Sequence, residues 1–298
     1  MFQVETGYGI LNGVETAEYY ENGRIKSVIT SEYSELKTKY GKFIPAYELS
    51  DIRKKYRPTV EFYDDGMIRS IYLQEQTEIE TGIGRIKAEH ITFYENGNIR
   101  RIFPLYGQIN GYWTEENEYE LAEEITLPVL GTELVCKPLC IHFYPDRNLH
   151  SITIWPKTTL DIDTAYGKIK TRLGVELTEE GILKSIEPAF GTQLQTQWGI
   201  LFPFDTDAFM MHADHNSLVF HEDGTILSAK TIRNKIIVQK NGEVVGEFVP
   251  REEPDFFQEE IMIKKPMEIV FGQDKITLKR SKNENMSWNT KEFQIMFR

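Results

Sequence analysis

Residues 93–102 read FYENGNIRRI, and this stretch decides the fold. An Asn-Gly pair flanked by apolar residues favours a β-hairpin, because glycine adopts positive φ angles without steric cost. We call this pattern turn B. It recurs with variations at 19–28, 62–71, 143–152, 177–186 and 220–229. The sequence therefore predicts six hairpins of one kind.

A second motif, which we call turn A, reads Thr-x-x-Gly-x-hydrophobic. It occurs at 6–9, 38–41, 81–84, 164–167 and 196–199. The glycine of a turn B precedes the next turn A glycine by 18 residues in four places, whereas the spacing from A to B varies from 13 to 25. Because insertions collect in loops, we expect the A-to-B segments to carry whatever is specific to function.

The chain also repeats itself on a larger scale. Shifted by 158 residues without a gap, it matches itself at the markers of both turns, and Gly9, Gly23 and Gly66 coincide with Gly167, Gly181 and Gly224. Such self-similarity is typical of repeat architectures. We expect a single β-repeat domain over 1–298, with residues 2–86 duplicated in 160–244 and a degenerate C-terminal capping unit over 250–298.

These patterns predict an all-β fold of about seven antiparallel hairpin units that form a curved or rolled sheet. A seven-bladed β-propeller is the alternative, because about 43 residues per unit suits a blade. Turns only 13 or 14 residues apart leave room for one strand between them, which favours the repeat sheet.

The register of the turn B hairpins follows from a three-residue loop with glycine in the left-handed region. That loop sets Phe62 opposite Ile68 and Glu61 opposite Arg69. The same register predicts charged cross-strand pairs elsewhere, Glu18 with Lys26 and Glu176 with Lys184. One face of the sheet is thus expected to be apolar and the other charged and wet.

Composition narrows the classes of function. The net charge of −12 argues against nucleic acid, which requires a basic surface, and is compatible with simple solubility or a basic protein partner. No run approaches 18 apolar residues, and the first residues, MFQVETGYGI, do not resemble a signal peptide. Two cysteines are too few for a disulfide framework. These features predict a cytoplasmic protein without a membrane span.

The insertion 201–217, LFPFDTDAFMMHADHNS, holds the densest group of potential ligands in the chain. Imidazole together with carboxylate suits Zn, Fe or Mn, and a His–Asp pair can act as a general base. The candidate ligand or metal residues are His212, Asp214 and His215 first, then Asp205 and Asp207. A polar loop with incidental histidines is the alternative interpretation.

A second metal candidate reads Cys136-x-x-x-Cys140-x-His142. On one strand these three side chains share a face, and the hairpin register sets His142 opposite His150. Buried structural cysteines are the alternative, since free cysteines are common in protein cores. Apart from these two candidates for a divalent metal, the sequence indicates no cofactor.

Two further segments point to binding. Residues 102–136 contain no Lys or Arg, and their acidic and aromatic side chains predict a surface for a basic protein partner, with a solvated loop as the alternative. The candidate partner-binding residues are Tyr112, Trp113, Glu115, Glu116 and Tyr119. The basic run 53–57 predicts one short helix with a solvated face, with an anion site as the alternative.

Residues 19–27, YYENGRIKS, and 93–97, FYENG, resemble the MORN-variant repeats of bacteria. The resemblance is local and covers the turn B hairpins. It implies hairpins laid side by side in an elongated sheet that serves as a protein- or lipid-binding scaffold, and it implies no catalytic residues. The turn B segments of this chain lie farther apart than those repeats do, and turn A is additional.

The sequence thus favours a non-enzymatic protein-binding or scaffold β-repeat protein. The alternative is a metal-dependent enzyme or ligand-binding protein that uses the insertion from Asp205 to His215. In either case we expect function where the repeats differ, at 42–59, 107–130 and 200–217.

Overall fold

A computed structural model describes residues 2–48, 52–54, 56–208, 213–255, 258, 260–281 and 283–298. In these ranges the chain forms 28 β-strands and one short α-helix. The prediction of an all-β, hairpin-built fold is therefore confirmed. Nowhere in the described ranges is a helix both long and apolar enough to cross a membrane.

The chain divides into two compact units, Met1–Trp155 with Glu179–Gly181, and Pro156–Thr178 with Ile182–Arg298. A single domain over 1–298 stays a prediction. The first unit contains strands β1 to β13 and helix α1. Their bounds are β1 Phe2–Thr6, β2 Gly9–Tyr19, β3 Ile25–Thr30, β4 Leu36–Thr38, β5 Gly41–Phe43, β6 Val60–Phe62, β7 Ile68–Thr81, β8 Gly84–Phe93, β9 Ile99–Phe103, α1 Glu115–Leu121, β10 Ile125–Val129, β11 Thr132–Cys136, β12 Pro138–Phe143 and β13 Leu149–Ile154.

The main sheet of the first unit is one antiparallel series, β1-β2-β3-β6-β7-β8-β9-β12-β13. Two hairpins, β4–β5 and β10–β11, are excursions from this series. A propeller would instead divide the strands into separate blades. The alternative of a seven-bladed propeller is therefore wrong for this unit.

Turn A is a two-residue hairpin loop that its threonine closes. In the first copy Thr6 pairs with Gly9 across the turn. The Thr6 hydroxyl donates to the Gly9 carbonyl at 2.7 Å and accepts the N–H of Tyr8 at 3.1 Å. The same two bonds occur at Thr38, Thr81, Thr164 and Thr196. The motif therefore marks a side chain that satisfies the backbone of a tight turn.

Turn B has the predicted three-residue loop. In the second hairpin the Tyr63 N–H donates to the Met67 carbonyl at 2.8 Å, and the Gly66 N–H donates to the Tyr63 carbonyl at 3.0 Å. Gly66 has φ +94°, in the left-handed region that favours glycine. Phe62 lies opposite Ile68, as predicted. In the fourth hairpin Arg147 occupies the glycine position with φ +80°.

The predicted charged pairs directly beyond these loops are wrong in register. Glu61 lies opposite Ser70 rather than Arg69, because Arg69 is an extra residue that forms a β-bulge. Glu18 and Glu176 likewise lie opposite Ser27 and Ser185. The ion pairs still form from the bulge position, with Lys26 Nζ 3.1 Å from Glu18 and Lys184 Nζ 2.8 Å from Glu176.

This bulge determines which residues lie on each face of the sheet. One row of directly paired residues is apolar and at most 1% exposed, and it consists of Val28, Val60, Ile71, Ile91, Ile102, Ile141 and Ile152. The row on the other face consists of Ser27, Glu61, Ser70, Thr92, Arg101, His142 and Ser151. Four of these polar residues are buried, namely Ser27, Ser70, His142 and Ser151. The prediction of a wet polar face is therefore wrong for this row, because the bulge sets short hydroxyl side chains in it.

A ladder of tyrosines joins successive turn B hairpins of the first unit. The hydroxyl of Tyr20 donates to the Phe62 carbonyl at 2.8 Å, and that of Tyr63 donates to the Phe93 carbonyl at 2.7 Å. The Tyr94 hydroxyl continues the series to the carbonyl of the next hairpin, at 2.8 Å. The second residue of the Phe/Tyr-Tyr motif thus holds each hairpin to the one that follows.

Replacing Tyr63 with phenylalanine should lower the free energy of unfolding by about 1 kcal/mol, because the Phe93 carbonyl loses its hydroxyl donor. Urea denaturation measures the change. Tyr19→Phe is the matched control, since Tyr19 is 53% exposed. Equal destabilisation by the two substitutions would show that the ladder contributes nothing.

The second unit repeats this plan. Its strands are β14 Leu160–Thr164, β15 Gly167–Leu177, β16 Leu183–Pro188, β17 Leu194–Thr196, β18 Gly199–Leu201, β19 Leu218–Phe220, β20 Ile226–Thr231, β21 Ile236–Lys240, β22 Glu243–Phe248, β23 Arg251–Pro254, β24 Met262–Lys265, β25 Met267–Phe271, β26 Lys275–Ser281, β27 Glu284–Asn289 and β28 Gln294–Phe297. The main series is β14-β15-β16-β19-β20-β25-β26-β27. Strands β14 to β20 each begin 158 residues after β1 to β7.

The C-terminal segment joins two sheets of the second unit. Strands β25, β26 and β27 extend the main series, while β28 pairs in parallel with β18 and antiparallel with β21. Strands β23 and β24 form a separate hairpin. A capping role for 250–298 stays a prediction.

Candidate functional site

Two of the three insertions meet in the first unit, around the guanidinium of Arg53. Arg53 comes from the insertion 42–59, and its Nε and Nη2 donate to the Glu118 carboxylate at 2.7 and 2.6 Å. Glu118 belongs to α1 in the segment 107–130. Nη1 and Nη2 donate to the Glu89 carboxylate of β8 at 2.9 and 2.6 Å. We call Arg53, Glu89 and Glu118 the arginine centre.

The remaining hydrogen bonds of the arginine centre come from the loop that leads to α1. Glu118 accepts the N–H of Gly107 and the indole N–H of Trp113, both at 2.7 Å. Glu89 accepts the N–H of Tyr106 at 2.8 Å. Buried ion pairs are tolerated only when their polar atoms are satisfied in this way. The centre therefore fixes the course of the loop as well as the helix.

Electrostatics of the centre follow from these contacts. Burial opposes ionisation of Glu118, but hydrogen bonds from Arg53, Gly107 and Trp113 outweigh it and hold the pKa of Glu118 below its usual value. For Arg53, burial opposes the charge and the two carboxylates outweigh it, so its pKa is raised. Arg53 and Glu118 are therefore both charged at neutral pH.

Helix α1 begins after Thr114, whose hydroxyl accepts the N–H of Asn117 while the Asn117 side chain accepts the N–H of Thr114. Acidic residues in its first turn suit the positive end of the helix dipole. On the inner side Glu118 is buried, and Tyr119 packs against Trp155 with ring centroids 6.3 Å apart. The helix is thus anchored through Glu118 and Tyr119 on its inner side.

The outer side of this segment is exposed, acidic and partly apolar. Tyr112 is 84% exposed, and Glu115 and Glu116 are also exposed. Ile109 and Leu121 add apolar surface, 58% and 48% exposed. We call Ile109, Tyr112, Glu115, Glu116 and Leu121 the acidic helix face. Of the residues predicted to bind a partner, Trp113 and Tyr119 are half-buried and contact Glu118 and Trp155.

Beside the arginine centre, Arg57 lies on an aromatic stack. Its guanidinium carbon is 3.9 Å from the ring centre of Tyr72 and 4.5 Å from that of Tyr106. The Tyr72 ring stacks in turn on His90, at 4.1 Å. Sequence reasoning did not predict this stack, because no local pattern links residues of β7, β8 and two loops.

His90 forms a Ser–His pair with Ser70, with 2.8 Å between Oγ and Nε2. Both residues are 5% exposed, and burial together with Arg57 lowers the pKa of His90 to about 3. The imidazole is therefore neutral, and aromatic rings enclose it. A nucleophilic pair needs access for substrate and a group that orients the base. Among described residues His90 Nδ1 has no partner, so no described group orients the imidazole as a base.

Two candidate ligands of the insertion 200–217 form ion pairs with lysines. Asp205 is buried and receives Lys230 Nζ at 2.6 Å, and Asp207 receives Lys265 Nζ at 2.9 Å. Asp214 is half-buried and His215 exposed, while His212 lies outside the described residues. Both lysine-paired carboxylates are neutralised by the chain itself, which weakens them as metal ligands.

A second buried carboxylate, Glu187, holds this insertion to the sheet. Glu187 is 0% exposed and accepts the backbone N–H groups of Asp205 at 3.1 Å and Ser217 at 2.7 Å. Arg172 Nη2 lies 3.4 Å from its carboxylate and donates to the Asp205 carbonyl at 2.8 Å. Burial raises the pKa of Glu187, and these hydrogen bonds oppose the shift. In the first repeat the matching positions hold Val14 and Ile29.

The three residues of the second metal candidate do not lie on one strand. The chain leaves strand structure at Lys137, so Cys136 belongs to the hairpin β10–β11, opposite Ile125, whereas Cys140 and His142 lie on β12. Burial raises the pKa of Cys136 to about 12, and Glu124 adds to the shift. The predicted placement of these three residues on one strand face is therefore wrong. A thiol with this pKa is a poor metal ligand at neutral pH.

His142 also departs from its predicted partner. It lies opposite Ser151, because His150 is the extra residue of the bulge. The two imidazoles remain in contact, with ring centroids 4.3 Å apart. Nε2 of His142 is 3.3 Å from the Tyr94 hydroxyl.

Local signals existed for part of the arginine centre. Thr114 and Asn117 have the spacing of a capping box, which would have indicated α1. The basic run 53–57 was expected to be a solvated helix, but Ile52 and Arg53 form a turn and Arg53 is half-buried. Its contact with Glu118 joins residues 65 positions apart, which no local pattern indicates.

Comparison with protein-family models, with curated proteins and with solved structures gives no match for this chain.

Proposed function

We propose that this chain is a non-enzymatic β-repeat protein that binds a basic segment of a partner protein through the acidic helix face. One observation carries the proposal. The arginine centre and Tyr119 hold α1 from its inner side, while Tyr112, Glu115 and Glu116 are exposed.

Other features support this interpretation. Exposed aromatic and apolar side chains between carboxylates supply both contact area and charge complementarity for a basic peptide. The net charge of −12 steers basic partners towards the molecule and repels nucleic acid. The turn B resemblance to MORN-variant scaffolds and a cytoplasmic location agree with a binding role and are part of the proposal.

Affinity capture from native lysate tests the proposal with the wild-type chain and a Tyr112→Ala, Glu115→Lys, Glu116→Lys variant. We expect proteins with basic surface segments on the wild type, released by salt and lost from the variant. The purified partner should then bind at least tenfold more weakly to the variant, because central aromatic contacts and charge complementarity dominate such interfaces.

The matched control changes charge equally elsewhere. A Glu21→Lys, Glu222→Lys variant alters two exposed carboxylates outside α1 and should capture the same proteins as the wild type. Unchanged capture by the α1 variant, or equal loss in the control, would refute the acidic helix face as the binding surface.

Metal analysis addresses the alternative of a metal-dependent function. Stoichiometric zinc, iron or manganese in the purified protein, lost in a His212→Ala, His215→Ala variant, would replace the binding proposal with a metal-based one. Circular dichroism of that variant should match the wild type, since His215 is exposed.

A further inference from the structure

A small basic pocket lies beside the arginine centre, in a chain that is otherwise strongly acidic. It is partly open to solvent, has a volume of about 40 Å³, and is lined by Arg53, Lys54, Arg57, Tyr72, Glu89 and Tyr106, among others. We infer that this pocket binds the carboxylate group of an organic acid, through Lys54 and Arg57.

The charged side chains that line the pocket determine which ligands it attracts. Glu89 also lines the pocket, but its two oxygens accept from Arg53 and from the Tyr106 N–H. Lys54 and Arg57, by contrast, have no carboxylate partner among the described residues. The arginine centre has one guanidinium and two carboxylates, so Lys54 and Arg57 together outweigh its single excess negative charge and leave a positive site, which favours an anion.

Arg57 and Lys54 both have hydrogen-bond donors available to a ligand. Arg57 uses Nη2 for the Tyr106 carbonyl at 2.8 Å, which leaves Nε and Nη1 without a described acceptor. Lys54 Nζ donates to the Gln74 carbonyl at 3.2 Å, and its ammonium group carries two further hydrogens. A guanidinium that aromatic rings already hold in place loses little freedom on binding, and its planar fork matches a carboxylate.

The volume of the pocket limits the size of the group that it can hold. A water needs roughly 10–15 Å³ of such volume, so a cavity of about 40 Å³ holds a group of about three heavy atoms. A planar carboxylate has three heavy atoms, whereas tetrahedral phosphate has five. The rings of Tyr72 and Tyr106 at the wall suit the apolar part of an organic acid. The pocket thus fits a carboxylate better than phosphate.

Titration calorimetry and thermal shift test the inference with four probes at constant ionic strength, with chloride as the reference anion. The probes are acetate, inorganic phosphate, N-acetyl-dialanine and the same dipeptide with an amidated C terminus. We expect acetate and the free-acid peptide to bind, phosphate to bind more weakly than acetate, and the amide not to bind. Tighter binding of the peptide than of acetate identifies a chain terminus as the source, and equal or weaker binding identifies a free small acid.

Variants decide whether binding occurs in this pocket. Lys54→Gln should weaken acetate binding about tenfold, because a charge-assisted hydrogen bond is lost. Arg57→Gln should weaken it further but also disturbs the aromatic stack, so Lys54→Gln is the decisive variant. The exposed Lys37→Gln is the control with the same charge change and should bind as the wild type. Absence of acetate binding, tighter binding of phosphate, or unaltered binding by Lys54→Gln would overturn the inference.

Discussion

Replacing Arg53 with methionine should lower the free energy of unfolding by about 3–5 kcal/mol at pH 7. Methionine retains the apolar stem but leaves Glu89 and Glu118 facing each other without their cation. Their side chains are only 18% and 3% exposed, so water cannot replace the guanidinium. Chemical denaturation of the two proteins measures the difference.

The difference in stability between the wild type and Arg53→Met should also shrink in acid, because lowering the pH acts on the two proteins in opposite directions. In the wild type the pKa of Glu118 is lowered, so its contribution is present above the unfolded pKa near 4.5 and is lost as the pH falls. In the variant the Glu118 carboxyl stays buried but loses the guanidinium, so its penalty disappears on protonation. A gap that stays constant between pH 7 and pH 4 would contradict this account.

Arg85→Met is the matched control for Arg53→Met. Arg85 pairs with Glu80 at 2.9 Å, but their side chains are 72% and 74% exposed. Exposed ion pairs contribute little, so we expect a change near zero at either pH.

Glu187→Ala should cause a loss of stability of similar size, about 3–5 kcal/mol. It leaves the backbone N–H groups of Asp205 and Ser217 without their acceptor and removes the carboxylate beside Arg172. Because these contacts hold the insertion 200–217 to the sheet, the variant should also become sensitive to limited proteolysis within that insertion. Thermal unfolding and mapping of the first cleavage site check the two expectations.

Glu247→Ala provides the comparison for Glu187→Ala. Glu247 pairs with Lys235, and the two side chains are 49% and 41% exposed. We expect no measurable loss of stability and no new cleavage site. A similar loss in both variants would mean that Glu187 acts as an ordinary surface carboxylate.

The hairpins were predictable because each depends on residues within ten positions of one another. Asn-Gly or Asp-Gly between apolar residues gives the loop, and Phe62 opposite Ile68 follows from loop length alone. The sequence also identified turn A as a repeat. The hydrogen bonds by which its threonine hydroxyl closes the turn became evident only from the three-dimensional structure.

The bulges were not predictable from alternation. A period of two assigns Arg69 to the position opposite Glu61, and only the extra residue moves Ser70 there. This single shift also placed His142 opposite Ser151 and buried a row of hydroxyl groups that the sequence had assigned to solvent. A bulge that recurs in every repeat has no composition signal of its own.

The candidate site was predictable only in its location. Both insertions that form the arginine centre were identified as places where the repeats differ, yet the residues proposed there were the aromatic and acidic ones nearest in sequence. Glu89 and Arg53 lie 36 positions apart and belong to a strand and a loop. Long-range pairing of this kind depends on the order of strands in the sheet, which one sequence does not specify.

The serial pairing of strands has a consequence for how the chain acquires its structure. Apart from short excursions, each strand of a main series pairs with its predecessor and its successor along the chain. Little loop-closure entropy therefore precedes the first productive pairing within a main series. Folding can nucleate at any hairpin of a main series and propagate to the neighbouring strands. The strands at the ends of the series then join last and fray first.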